Sequence, residues 1–336
     1  MKILITGVAG LIGSNLAEYY KKKNFEVFGI DNLSGGYKSN IPEGIEYHNV
    51  SCEDREKVFD IFEKNKFDYV AHCAAHAYEG LSVFAPHLIC TNIISSSVSI
   101  FSAAVNSKVK RIIHFSSMAR YGDIETPFYE DQSIPKPIDP YGIAKLASEN
   151  ILISLCKAFD VEYNIVVPHN VIGPNQKYND PYRNVASIMI NKILKNERPI
   201  IYGDGEQKRC FSDIDDCITC IDKMILDKNV KNQVINIGPD EEFVTINELS
   251  NLISNKLKFN QPPIYVTDRP LEVKHAYCSS DKARKLLNYK TKIPLSKSID
   301  KIIHFIKTKG IMDFDYNFDL EINNKRTPKT WKNKLI

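Results

Sequence analysis

Long apolar runs are scarce in this chain of 336 residues. The run opening with Met1-Lys2-Ile3 and its successors break within a few residues, short of the roughly 20 that a bilayer-spanning helix needs, so no membrane partner is expected. Gly7, Gly10 and Gly13 interrupt the only stretch that resembles an export signal, and none is expected. An excess of charge of one sign is also missing: 44 Lys+Arg stand against 41 Asp+Glu, for a net charge of +3. With no aromatics interleaved among basic clusters, that balance excludes nucleic acid as the expected partner. The eight cysteines are scattered, which predicts reduced thiols in a cytoplasmic setting and no disulfides. Cys217 and Cys220 form a lone C-x-x-C without the second pair or the two histidines that zinc would want, so no metal is expected. Together with Met224 they recur at helical spacing, the pattern of a buried helix stripe. No internal repeat is visible.

What is present reads as two domains' worth of ordinary globular chain, 43% hydrophobic and 25% charged. Over residues 1–167 short β-branched runs alternate with segments of helical period. Strands are expected over 2–6, 26–30, 45–48, 69–72, 111–115 and 163–167, and helices over 12–23, 55–64, 87–106 and 140–159. This is the pattern of an α/β chain with a Rossmann-type, doubly wound parallel sheet. After Pro168, clustered Pro, Gly and Asn announce a smaller carboxy-terminal α/β substrate domain over 168–321. Helices are expected there near 184–195, 213–226, 245–257 and 281–287, the third opened by a Thr245/Glu248 capping box. Residues 322–336 carry Lys325, Arg326, Lys329, Lys332 and Lys334 without an acid, which predicts a solvated basic tail.

The first expected strand runs into Gly7-Val8-Ala9-Gly10-Leu11-Ile12-Gly13 and then a helix. In that context the spacing has a mechanism: Gly7 allows a tight turn, Gly10 lets backbone N–H groups reach a pyrophosphate, and Gly13 lets helix and strand pack closely. The helix N-terminus, at Leu11 and Ile12, then faces the phosphates. Asp31, followed by Asn32, ends the second strand where an acid accepts hydrogen bonds from an adenosine ribose, favouring NAD over NADP.

Asp139-Pro140 opens a helix that sets Tyr141 and Lys145 four residues apart on one face. A phenol beside an ammonium and a nicotinium cation ionises more readily, and can exchange a proton with a sugar hydroxyl as hydride leaves the same carbon. Ser117, at the carboxyl end of the 111–115 strand, is placed to orient the reacting oxygen.

With these motifs the sequence resembles the extended short-chain dehydrogenase/reductase superfamily, and within it the NAD-dependent nucleotide-sugar epimerases and dehydratases. The resemblance extends through His72-Cys73-Ala74-Ala75, Asn92, Pro168-His169-Asn170-Val171-Ile172-Gly173-Pro174, the 202–209 segment and Arg269. It implies further NAD contacts from Ser51, Cys52, Cys73, Ala74, Ala75, Asn92, Tyr141, Lys145 and Pro168. It also implies a nucleotide-diphosphate sugar held by Glu79, Met118, Asn170, Tyr202, Arg209 and Arg269, with the two arginines on the phosphates. Homodimer formation through the helices at 87–106 and 140–159, and a place in surface polysaccharide synthesis, are implied in the same way.

Dehydratases of this group usually carry Asp-Glu immediately after the Ser/Thr. Here Met118 and Ala119 stand there, and neither transfers a proton. The resemblance therefore implies a 4-epimerase working through a transient 4-keto sugar. Dehydration or 4-dehydrogenation are the alternatives, and a non-catalytic NAD-binding scaffold is a remote one. His76 and Glu79 supply ionisable groups that could replace the missing pair. Ala276, seven residues after Arg269, is a small residue where relatives accommodate the C2 substituent, implying room for an N-acetyl group. Three departures from the usual pattern are Ser51 in place of an aspartate facing adenine, and Val167 and His169 before Asn170.

Overall fold

The computed structural model describes residues 1–271 and 276–336. Strands β1 (Lys2–Thr6), β2 (Glu26–Asp31), β3 (Glu46–Asn49), β4 (Tyr69–His72), β5 (Arg111–Phe115) and β6 (Glu162–Pro168) build one sheet with the strand Gln233–Ile237. Its order is Gln233–Ile237, β6, β5, β4, β1, β2, β3, and every pairing is parallel. β5 is buried at all its positions because helices cover both faces. On one face α2 (Arg55–Lys64), α4 (Pro86–Asn106), which follows the short α3 (Glu79–Ser82), and α5 (Pro140–Phe159) place Val58, Phe101 and Leu152 against Leu4, Phe28 and Ile112. On the other, α1 (Leu11–Lys22) and the helices Ile214–Leu226 and Asp281–Leu287 set Leu16, Cys217 and Leu287 against Ile3, Ile5 and Ile113. Cys217, Cys220 and Met224 are indeed buried on one helix. A separate apolar cluster joins the helices Val185–Leu194, Ile246–Leu257 and Leu295–Lys309 through Ile190, Leu249 and Ile299.

The chain leaves β1 in opposite directions, to β2 and β3 on one side and to β4, β5 and β6 on the other. At such a switch point the loops after the strands diverge and leave a crevice at the carboxyl edge. The loops after β1, β4 and β5 begin at Gly7, Cys73 and Ser116, so the fingerprint and the serine share that edge.

The expected elements appear within one residue at nearly every boundary, and local chemistry explains several. Asp139 caps α5 by accepting from the Gly142 N–H at 2.9 Å, with Pro140 at the first helical position. At Thr245 both halves of the capping box form, Oγ1 accepting from Glu248 N at 3.0 Å and Oε2 accepting from Thr245 N at 2.7 Å.

Four features differ from the sequence reading. The strand Gln233–Ile237, in the stretch expected to hold substrate, extends the main sheet through β6. Leu295–Lys309 is a helix with no counterpart among the expected ones. α4 is, contrary to expectation, long and apolar enough by length and composition to cross a membrane, because its serines interrupt the apolar run without adding charge. It is mostly buried, packed on α5 and α2 as a core helix. Finally, the 322–336 tail is only partly solvated: Thr327, Thr330, Trp331 and Ile336 are buried while the five cations around them are exposed.

Candidate active site

A cavity of about 460 Å³ opens along the carboxyl edge of the sheet. Its cofactor-facing wall is built on bare backbone. Gly7 has φ +68, and a Cβ there would lie 2.9 Å from Ala74 N; a Cβ on Gly13 would fall inside contact distance of the Gly7 carbonyl. Only glycine permits this approach of loop and helix. Gly10, Leu11 and Ile12 line the same wall.

Asp31 is 8% exposed, its carboxylate accepting from Ala9 N at 2.9 Å and Leu33 N at 2.6 Å. Burial raises its pKa, opposed by these two N–H groups. Asn32, Ser51 and Cys52 continue the wall, followed by Cys73, Ala74, Ala75 and Pro168. Asn92 holds the loop after β4, its Oδ1 accepting from His76 N at 2.9 Å while its Nδ2 donates to Glu53. Of the residues expected at the cofactor, Lys145 alone lies behind the lining, its Nζ donating to the Phe115 carbonyl at 2.8 Å.

Ser117 and Tyr141 face this cavity from different elements. The Ser117 Oγ accepts from Ala119 N at 3.2 Å, which fixes the turn after β5. Tyr141 sits in the first turn of α5, 6% exposed, with the Lys145 ammonium 6.0 Å from its ring centroid. Burial pushes the phenol up to about 12, opposed first by its hydrogen bond with Ser117. Burial also pushes the Lys145 ammonium down to about 8. The sequence reading expected the phenol to ionise more readily beside an ammonium and a nicotinium cation; in the protein alone, desolvation outweighs Ser117 and Arg183, and a further positive charge is needed to lower it.

The residues expected to hold substrate, Glu79, Met118, Asn170, Tyr202, Arg209 and Arg269, line the same cavity. Asn170 is held by its Nδ2 donating to the Cys210 carbonyl at 2.9 Å. The Arg269 guanidinium stacks 4.7 Å over the Tyr202 ring. A small side recess is lined by Glu79, Met118, Asn170, Arg209 and Ala276. Glu79 lies near enough for its charge to raise the Tyr141 phenol. His76 differs: burial and Arg183 push it down to about 4, so it is neutral near pH 7.

Two features escape the sequence reading. Arg183 lines the cavity and lies 5.4 Å over the Tyr78 ring. Beneath the turn after β5, Glu149 is buried and receives Arg120 Nε at 2.9 Å and the Ser116 hydroxyl. Glu149 falls four residues after Lys145, a spacing that reads as a surface ion pair until the fold buries it. Among the described residues no cluster of His, Cys, Asp and Glu is arranged to hold a metal ion.

Residues 3–238 match the NAD dependent epimerase/dehydratase family. The chain belongs to that family. Members are NAD-dependent enzymes, and the glycine cradle and the Asp31 carboxylate fit NAD. A relative from Methanocaldococcus jannaschii with a provisional assignment as a UDP-glucose 4-epimerase is 33% identical over 315 residues, 92% of this chain and 99% of its own. The crystal structure of a Thermotoga maritima UDP-glucose 4-epimerase with UDP-glucose matches at a TM-score of 0.87 and 29% identity, covering 92% of this chain and 99% of that one. A Methanobrevibacter ruminantium UDP-N-acetylglucosamine 4-epimerase in complex with UDP-N-acetylmuramic acid matches at 0.83 and 28%, covering 92% and 99%.

Proposed function

We propose that the chain is an NAD-dependent 4-epimerase of a UDP-hexose or UDP-N-acetylhexosamine, working through a transient 4-keto sugar. The observation that carries this reading is the convergence of Ser117 and Tyr141 on one cavity with the glycine cradle, with Met118 and Ala119 directly after the serine. NAD+, when bound, supplies a hydride acceptor that returns the hydride, and a positive charge. Tyr141 takes the proton of the sugar 4-hydroxyl and gives it back. Ser117 orients that oxygen, and Lys145 holds positive charge behind the phenol. Arg209 and Arg269 grip the diphosphate so that the sugar can turn between the two transfers. Ala276, in the recess beside Met118 and Glu79, leaves room for an N-acetyl group.

Pairing of two copies through α4 and α5 belongs to this reading, supported by exposed Val98, Ile143 and Phe159 on those helices. A cytoplasmic setting is favoured by the eight scattered cysteines, and a role in surface polysaccharide synthesis is what the resemblance adds.

One observation favours a second reading. Glu79 faces the cavity close to Tyr141, and its carboxylate would serve to take a C5 proton from the 4-keto sugar, the step that begins elimination of water. Incubating the protein with UDP-, GDP-, CDP- and dTDP-sugars in D₂O and following products by proton NMR separates the two. A C4 epimer without solvent deuterium supports epimerisation. Deuterium at C5 with loss of water assigns dehydration, and accumulating NADH assigns a 4-dehydrogenase.

A further inference from the structure

The segment after Glu321 comes back to the cavity. Trp331 is 3% exposed, its ring 5.7 Å from Phe84, 5.3 Å from Tyr182 and 6.4 Å from Tyr202. Next to it, Thr330 Oγ1 lies 2.7 Å from the Tyr202 hydroxyl. The Tyr202 ring therefore has its hydroxyl tied to Thr330 and its face covered by Arg269 at 4.7 Å. Gly80 lies beneath both: a Cβ there would come to 3.3 Å from Arg269 Nη1 and 3.7 Å from the Trp331 ring. Ile336 completes the strap by lining the cavity itself, its N–H donating to Tyr316 Oη at 3.0 Å. A solvated tail would have none of these contacts.

We propose that residues 324–336 form a strap that holds Tyr202, and through it Arg269, against the nucleoside diphosphate of the substrate, making Thr330 and Trp331 positioning residues for binding. This rests on the reading of Tyr202, Arg209 and Arg269 as the substrate's diphosphate site. Fixing an aromatic ring and a guanidinium before the ligand arrives lowers the ordering cost of binding, so the strap acts on affinity. The proton transfer at Tyr141 is untouched by it.

The test uses the full-length protein and UDP as probe, titrated by calorimetry into wild type, T330V, T330S, W331A, Y202A and R209A. Kinetics follow with the UDP-sugar that the panel identifies, and NAD affinity and melting temperature serve as controls. T330V and W331A are expected to raise the Kd for UDP about three- to tenfold, the range for one lost hydrogen bond or its packing equivalent. KM should rise in parallel, with kcat within about twofold, T330S should bind as wild type does, and NAD affinity should not change. Unchanged UDP affinity in T330V and W331A, with a loss in R209A or Y202A, overturns the strap and leaves the diphosphate site standing. Unchanged affinity in R209A and Y202A as well overturns that site and the strap together. A loss that T330S fails to restore, or one matched by lost NAD affinity, also overturns the strap.

Discussion

Tyr141 and Lys145 are moved in opposite directions by the same cause: the phenol up to about 12 and the ammonium down to about 8, both by burial. Near pH 7 the protein alone thus keeps the phenol protonated beside an ammonium that is still charged, and the chemistry waits for a further bound cation. Tyr141→Phe removes the proton carrier and little else; turnover should fall by about 10²–10⁴-fold with NAD retained, as steady-state kinetics and cofactor content will report. Lys145 makes a stability prediction. Below about pH 8 it is charged in both folded and unfolded chains, and between about 8 and the ordinary 10.5 only the unfolded chain keeps the proton. Its burial therefore costs most below about 8, and stability from this group rises with pH through that window. Without NAD, Lys145→Met should melt above wild type at pH 7, with the gap closing as pH approaches 10.5. A gap independent of pH contradicts the assigned cause.

The elements that place these groups were legible wherever a cap or a period announces them. Asp139-Pro140 and Thr245 with Glu248 are short-range chemistry, and both formed as read. Asp139→Ala should cost about 1 kcal/mol in denaturant unfolding and lower kcat as well, because Tyr141 lies in the turn that the cap holds; Asp139→Asn should keep most of both. The strand Gln233–Ile237 was not legible, since what holds it is distant in sequence. Asn236 sits buried within it, its Oδ1 accepting from the Tyr121 hydroxyl at 3.0 Å, and an asparagine mid-run argues against a strand until that partner is known. Glu149 was hidden for a similar reason: helical spacing gives its neighbours on α5, while its partners Ser116 and Arg120 arrive from the turn after β5.

At the scale of the whole molecule, the sheet's switch point decides where the crevice lies, and Gly7, Gly10, Gly13, Ser117 and Tyr141, all singled out in the sequence, line it together. The closing wall was not readable. Five cations without an acid suggest solvent, yet Thr327, Thr330, Trp331 and Ile336 are interleaved with them and face inward. Such a segment is amphipathic only in relation to a surface the sequence does not name. The central claim is that one carbon of the sugar gives up a hydride and receives the same one back. Its most direct test is a UDP-sugar substrate carrying deuterium at C4, incubated with the enzyme in ordinary water and followed by NMR. The account predicts an epimer that keeps its deuterium at C4. Deuterium lost to solvent, or found on C6 of a dehydrated product, would contradict it.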